Sequence, residues 1–435
     1  MKDKKKKLGF KLIILSLLLL PGMQVLFIVG CNSKYLIRFP FFIIISILIV
    51  LLIGLLIWGI LWFVKNRHTN KKVLKKWIKI LFSIFMSFYI LGCACFVILL
   101  YGPNEKFKTW LITTAMQTMD HQYYCKWFYS EDTINEVINN NYVEESGEST
   151  DVSLIEKQEY KYKKDSYANE YEKQILDVED DIKYQIIQLE VNGCKGYLAV
   201  VYDPTKVRLA VTQRLGVSGQ YVTQMAQNNN ALLGINGGGF SDPGYSSAGG
   251  TPMGITIKDG QILTNNEYGS NTQGGGIIGF TNEGVLVLLK HTTAEQAIQM
   301  GVRDAVSWGP FLIVNGTPSF IRGNGGWGYA ARTAIGQRAD GIVLMLVIDA
   351  NSTRTKGADM VNLTEIMQNY GAINAANLDG GTSSVMVLPR DIAQSEYNAT
   401  CHDNRSEAYC NINDPIDGAL KHRTRAIADA WVVLE

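Results

Sequence analysis

Hydrophobic and polar positions divide the 435-residue chain into three textures. The first hundred residues carry three apolar runs: LIILSLLLLPGMQVLFIVG at 12–30, FPFFIIISILIVLLIGLLIWGILWFV at 39–64 and ILFSIFMSFYILGCACFVILLY at 80–101. None contains a charged residue, and each is long enough as a helix to cross a hydrocarbon layer of about 30 Å. This pattern predicts a three-helix transmembrane anchor over 1–101. A polar second stretch, 102–185, intersperses Lys, Glu, Asp and Tyr, as in KQEYKYKKDSYANEYEKQILDVEDD (157–181). It reads as a solvated, helical or partly disordered stalk.

Beyond Tyr184 the chain becomes rich in glycine and in short β-branched runs, predicting one α+β domain over 186–435, with mixed or antiparallel sheet and few helices. YQIIQLEV, GYLAVVYD, VRLAVT, ALLGIN, GIVLMLVID, AINAAN and AIADAWVVLE have the length and composition of strands. Asp259-Gly260, Glu283-Gly284 and Asn315-Gly316 sit between paired apolar runs and predict three hairpins. Helices are expected at SGQYVTQMAQNNN, with Ser218 as N-cap, at TTAEQAIQMG and at MVNLTEIMQNYG.

Charge sharpens the first boundary. The formal net charge of +1 conceals 15 Lys/Arg against one acid in 1–101, and 26 against 39 in the remainder. An acidic globular part excludes nucleic acid as the expected partner. The loop KNRHTNKKVLKKWIK (65–79) has seven basic residues, whereas CNSKYLIR (31–38) has two. The positive-inside rule then predicts a multi-pass protein with a cytoplasmic N-terminus and everything after Tyr101 on the outer side of the cell membrane. Cys125, Cys194, Cys401 and Cys410 fall in that outer part, an even number. Of three pairings, 401–410 with 125–194 is favoured because the near pair closes a short loop; four free thiols are the alternative.

The candidate chemistry lies in glycine turns. GINGGGF (234–240) and NLDGGTSSVM (377–386) each follow a strand-like apolar run. Neither is a phosphate-binding loop of the GxxxxGK[ST] or GxGxxG type, so nucleotide binding is not expected. Asp379 is either an Asx-type turn residue or a carboxylate presented at a strand end. Asn236 stands in the same position. Arg332 and Arg425 precede apolar strands and read either as rim charges or as anion-binding groups.

The ordered set GINGGGF, SWGPFLIVNG, RTAIGQ and NLDGGTSSVM resembles the phosphodiester glycosidase family over roughly residues 185–435. Bacterial members are associated with exopolysaccharide. The resemblance implies hydrolysis of a sugar-1-phosphodiester, with a phosphodiester-linked glycan and the lipid bilayer as partners. It implies Asp379 and Asp349 as catalytic carboxylates. Asn236, Gly237, Gly238, Arg332, Thr333, Gly380, Gly381, Thr382, Ser383 and Arg425 are implied around the substrate. Thr382 departs from the family, which commonly has a third glycine there. No cofactor is evident; a divalent metal at carboxylates such as Asp349 or Asp304 has no ligand spacing behind it. The competing expectations are a non-catalytic glycan-binding module and an envelope-assembly partner.

Overall fold

The computed structural model describes residues 83, 86, 87, 90–92, 94–117, 122–156, 166–179, 181–241, 248–266, 275–350, 357–401, 405–414 and 424–435. The apolar runs 12–30 and 39–64 lie outside the described residues, as does much of 80–101. Among the described residues no single helix is long and apolar enough to cross a membrane. One bent pair, Ile90–Tyr101 and Glu105–Met116, meets that test jointly across a 75° break. The chain forms two compact units, divided between Asn139 and Asn140.

The first unit is helical: α1 (Glu105–Met116), α2 (Tyr123–Phe128) and α3 (Glu131–Asn139) follow the helix ending at Tyr101. Ile112, Cys125, Tyr129, Ile134 and Val137 form their shared core. The Tyr129 hydroxyl donates to the Leu100 carbonyl at 2.9 Å, giving a buried polar tip its partner.

The second unit is built on antiparallel sheets. The largest runs from edge to edge as β12 (Thr317–Pro318), β11 (Phe311–Val314), β16 (Ala372–Asn377), β14 (Arg332–Arg338), β15 (Val343–Ile348), β3 (Cys194–Val201) and β2 (Tyr184–Val191). A second sheet runs β18 (Tyr409–Asn411), β17 (Met386–Pro389), β5 (Leu233–Asn236), β19 (Asp429–Val433), β4 (Val207–Val211). A third runs β7 (Gln261–Asn265), β6 (Ile255–Lys258), β10 (Val302–Trp308), β8 (Gly276–Thr281), β9 (Leu286–Leu289). A small ribbon pairs β1 (Tyr142–Glu144) with β13 (Phe320–Arg322).

The inner strands are apolar on both faces because both faces are covered. Along β15, Val343, Met345 and Val347 enter the core common to the three large sheets, while Leu344, Leu346 and Ile348 enter a second core. That second core holds α4 (Glu170–Leu176) through Ile175 and Leu176, and α7 (Met360–Asn369) through Met360, Leu363 and Met367. In the same way α5 (Val222–Asn228) covers the outer face of the β5–β19 sheet, and α6 (Ala294–Gln299) that of the β8–β10 sheet. The eighth helix, α8 (Arg390–Tyr397), packs Ala393 into the common core. Its C-terminal side is tied by the Cys401–Cys410 disulfide.

Three expectations need correction. The pairing of Cys125 with Cys194 is not formed: both are buried thiols, and the Cys125 thiol donates to the Leu111 carbonyl at 3.3 Å inside the helical core. Helix α5 begins three residues beyond the expected cap, with Tyr221 at the N-cap, because Ser218 is engaged in a bridge to Arg214. Finally, the described residues 142–156 and 166–176, which lie in the stretch expected to be stalk, are packed within the second unit. The Glu145 side chain is 2% exposed, and its carboxylate accepts from the backbone amides of Gly275 at 2.7 Å and Phe311 at 2.6 Å, with Lys290 at 2.6 Å on its other oxygen. The Thr150 amide and hydroxyl bond both sides of Leu288. These residues belong to the second unit.

A stability prediction follows from that boundary. Val143, Ile155, Ile175 and Leu176 are buried, and each contributes about 1.5–3 kcal/mol. Their removal costs roughly 6 kcal/mol or more, comparable with the whole stability of an ordinary domain. A fragment beginning at Asn140 is expected to give a cooperative urea transition, and one beginning at residue 186 to be unfolded or aggregated. Equal midpoints for the two would refute the assignment.

Candidate active site

Strand β16 delivers the site. It is buried to Leu378, whose amide donates to the Thr333 carbonyl at 2.8 Å, and the chain then turns at Asp379. The turn is set by Gly381, whose φ of 64° suits glycine, and by a single 3-10 turn over Gly381–Ser383. The Gly381 amide donates to the Ala331 carbonyl at 2.7 Å. Thr382 is partly exposed and is not among the residues at positive φ. The backbone here therefore accepts a side chain at position 382, and the departure from a third glycine leaves the turn intact.

The Asp379 carboxyl is enclosed, although the residue as a whole keeps some exposure. Burial raises its pKa, and a hydrogen bond from Ser383, the Arg425 charge, the Gly380 amide at 2.9 Å and the Arg332 charge pull it back. Arg332 is itself buried. Its guanidinium donates to the carbonyls of Ala358 at 3.2 Å, Trp327 at 2.5 Å and Gly328 at 2.9 Å, and it lies 5.8 Å from the centre of the Trp327 ring. A Cβ on Gly380 would stand 3.2 Å from Arg332 Nη1, so the glycine gives the cation access to the turn. Arg425 is partly exposed and stacks on Phe240, 4.5 Å from the ring centre.

Asn236 is fully buried at the end of β5 and is saturated by protein. Its amide donates to the Asp379 carbonyl at 2.7 Å, while its oxygen accepts from the Thr333 hydroxyl at 2.7 Å and the Val385 amide at 3.2 Å. Asn236 and Thr333 thus hold the turn and are not presented to a ligand. The Gly237 and Gly238 amides are likewise occupied, by the carbonyl and the carboxylate of Asp429 at 3.1 and 2.7 Å. The glycines are needed for close approach: a Cβ on Gly237 would overlap Asp429 Oδ1, and one on Gly239 would overlap the Trp308 ring.

Asp349, at the end of β15, is a clamp. Its carboxylate accepts from Asn413 Nδ2 at 2.9 Å and from the Asp414 amide at 3.0 Å, and Asn413 Nδ2 also reaches the Ser384 carbonyl at 3.0 Å. Burial pushes its pKa up to about 6. It supports the Asp379 turn from behind through Asn413, a residue that the sequence reading passed over. Asp304 is likewise engaged, by Arg303 at 2.7 Å and the Asp259 amide at 3.0 Å. No group of three His, Cys, Asp or Glu gathers among the described residues.

Sequence reasoning also missed Asp429. It opens β19, is 1% exposed, and has its pKa pushed up to about 7, first by burial and then by the nearby Asp379 charge, with the Gly238 amide opposing. The available signal was a single acid inside the otherwise apolar strand AIADAWVV.

The class of protein is thus an α+β domain with a strand-end carboxylate in a glycine turn, a second carboxyl close to it and two guanidinium groups acting on it. Residues 229–434 match the phosphodiester glycosidase family model. Over 188 residues the chain is 28% identical to the SPbeta prophage-derived uncharacterized protein YomE of Bacillus subtilis strain 168; the match covers 42% of this chain and only 27% of that relative. It is also similar to the zebrafish N-acetylglucosamine-1-phosphodiester alpha-N-acetylglucosaminidase catalytic domain auto-inhibited by its pro-peptide. That likeness has 19% identity and a TM-score of 0.43, covering 59% of this chain and 85% of the other.

Two outcomes are expected. Asn236→Ala strips partners from the Thr333 hydroxyl and the Val385 amide, both buried, and should cost about 2–4 kcal/mol in urea denaturation. The second concerns pH. Asp429 and Asp349 have folded pKa values raised to about 7 and about 6, so between roughly pH 4 and 7 the folded state binds more protons than the unfolded one. Stability should therefore fall as pH rises through that window, giving a lower Tm at pH 8 than at pH 5.5; a rising Tm would contradict the assignment.

Proposed function

We infer that this chain is a membrane-anchored, extracytoplasmic hydrolase that cleaves the glycosidic bond of a sugar-1-phosphodiester in a cell-surface polysaccharide or glycopolymer. The observation that carries the reading is Asp379, a carboxylate at the end of a buried strand under the influence of Arg332 and Arg425, inside the family-matched segment.

Cleavage of the anomeric C–O bond releases a phosphomonoester, a stable anion, so the reaction needs no strong general acid of the kind ordinary glycosides require. It needs a carboxylate beside the anomeric carbon, to stabilise an oxocarbenium-like transition state or to activate water, and Asp379 takes that role. Positive charge must meet the departing phosphate. Arg425, partly exposed and held flat by Phe240, is the group best disposed to touch it. Arg332, committed to three carbonyls, supplies a fixed field. Three uncharged spans and the basic 65–79 loop support the anchoring and the outward orientation.

Hydrolysis of a panel of sugar-1-phosphodiesters is the decisive assay. Asp379→Asn is expected to lose about 10³-fold or more in kcat. Arg425→Ala should raise KM about tenfold or more, with a smaller effect on an uncharged aryl glycoside. Equal turnover by wild type and Asp379→Asn removes Asp379 from the chemistry. Binding without release on every substrate points instead to a glycan-binding module. Protease added outside intact cells should digest the part beyond Tyr101; protection would reverse the orientation.

A further inference from the structure

Asp429 is the buried acid that the proposed reaction does not use, and its setting is unusual. It is 1% exposed, and its two oxygens are treated differently. Oδ1 accepts from the Gly238 amide at 2.7 Å, whereas Oδ2 is enclosed and has no hydrogen-bond partner among the described residues. A buried carboxylate oxygen without a donor is costly, and a proton on it removes that cost. Gly237 couples this residue to the proposed catalytic one: its amide donates to the Asp429 carbonyl, and its carbonyl accepts from the Asp379 amide at 3.2 Å. A single residue, Gly237, thus links the backbones of the two acids.

Among the described residues, no cation is recorded as acting on Asp429. β4 presents Val211 opposite it in register, with Thr212 next along the chain, and β5 presents Asn236 and the glycines. The titratable side chain that acts on it is Asp379, from the 379–383 turn. Arg425, four positions earlier on its own segment, and Arg332 act on Asp379.

We propose that Asp429 is a proton-holding positioning residue: neutral, it fixes the Gly237–Gly238 turn and lets Asp379 alone carry the site's negative charge when an anionic substrate enters. The inference rests on the phosphodiester reading above. When Asp429 loses its proton to solvent, a second negative charge appears near Asp379. It opposes both the ionisation of Asp379 and the approach of the substrate phosphate. The consequence falls on binding: KM for an anionic substrate rises on the alkaline side while kcat changes little. The burial and the field of Asp379 already push the Asp429 pKa toward neutrality, where such a switch operates.

The test uses the full-length chain, wild type against Asp429→Asn, an isostere that keeps the acceptor for Gly238 and cannot ionise. Wild-type KM for a sugar-1-phosphodiester should rise about tenfold between about pH 6 and about pH 8.5, the size of one extra charge at this range. KM for an uncharged aryl glycoside of the same sugar should stay flat. In Asp429→Asn the alkaline rise in KM should disappear, and the change in urea midpoint between those pH values should shrink. Superimposable KM–pH profiles for the two proteins overturn the proposal, and so does a pH dependence of stability that the substitution leaves unchanged. Should Asp429→Asn not fold, the comparison of charged and uncharged substrates on wild type decides: an equal KM rise for both overturns it. An inactive wild type sinks the hydrolase reading instead, and the stability comparison still tests whether Asp429 holds its proton.

Discussion

The arrangement depends on one fully buried amide. Asn236 ends a strand of one sheet, and its side chain bonds a hydroxyl on the neighbouring sheet, a backbone amide at Val385 and the carbonyl of Asp379. A buried amide cannot leave these positions unmatched without losing desolvation energy at each. The sheets are therefore locked in one mutual position where they meet, and the acid turn is suspended from that junction. The second anchor, from Asp349 through Asn413 to the Ser384 carbonyl, fixes the far end of the same turn. Between them, residues 379–385 have little freedom, so Asp379 is preorganised before any ligand arrives.

Legibility in the sequence followed the range of the interaction. Strands and hairpins were readable because their causes are local: alternation in β2, and Asn-Gly or Asp-Gly at turns where Asp259, Gly260, Asn315 and Gly316 do take positive φ. Strands such as β15, apolar throughout, were readable as buried, and their two-sided covering is the reason. Short pieces such as β17 and β18 exist through tertiary pairing and left no periodic signal. The packing of the described residues 142–156 and 166–176 was hidden for the same reason. A charged, tyrosine-rich stretch resembles a spacer until Glu145 meets two backbone amides more than a hundred residues away.

Which of the singled-out residues gather was more legible than what they bond to. Asp379, Arg332, Thr333, Asn236 and the glycines do come together. Yet Asn236, Thr333 and the amides of Gly237 and Gly238 bond protein, and Asp349 clamps a loop. Residue type identifies which groups can bond; only the packing decides what they bond to. Asp429 was hidden because an acid in a closing strand looks like an ordinary polar interruption until its surroundings are known.

Glu145 also imposes an order of events. The amides it must capture lie 130 and 166 residues further along the chain. A growing polypeptide therefore exposes this carboxylate long before its partners are synthesised, and β1 cannot settle until the β11 region has folded. Such contacts pay their loop-closure entropy late and slow the final step. Residues 142–145 are thus expected to dock late in the folding of the second unit, once the strands that carry their partners are in place.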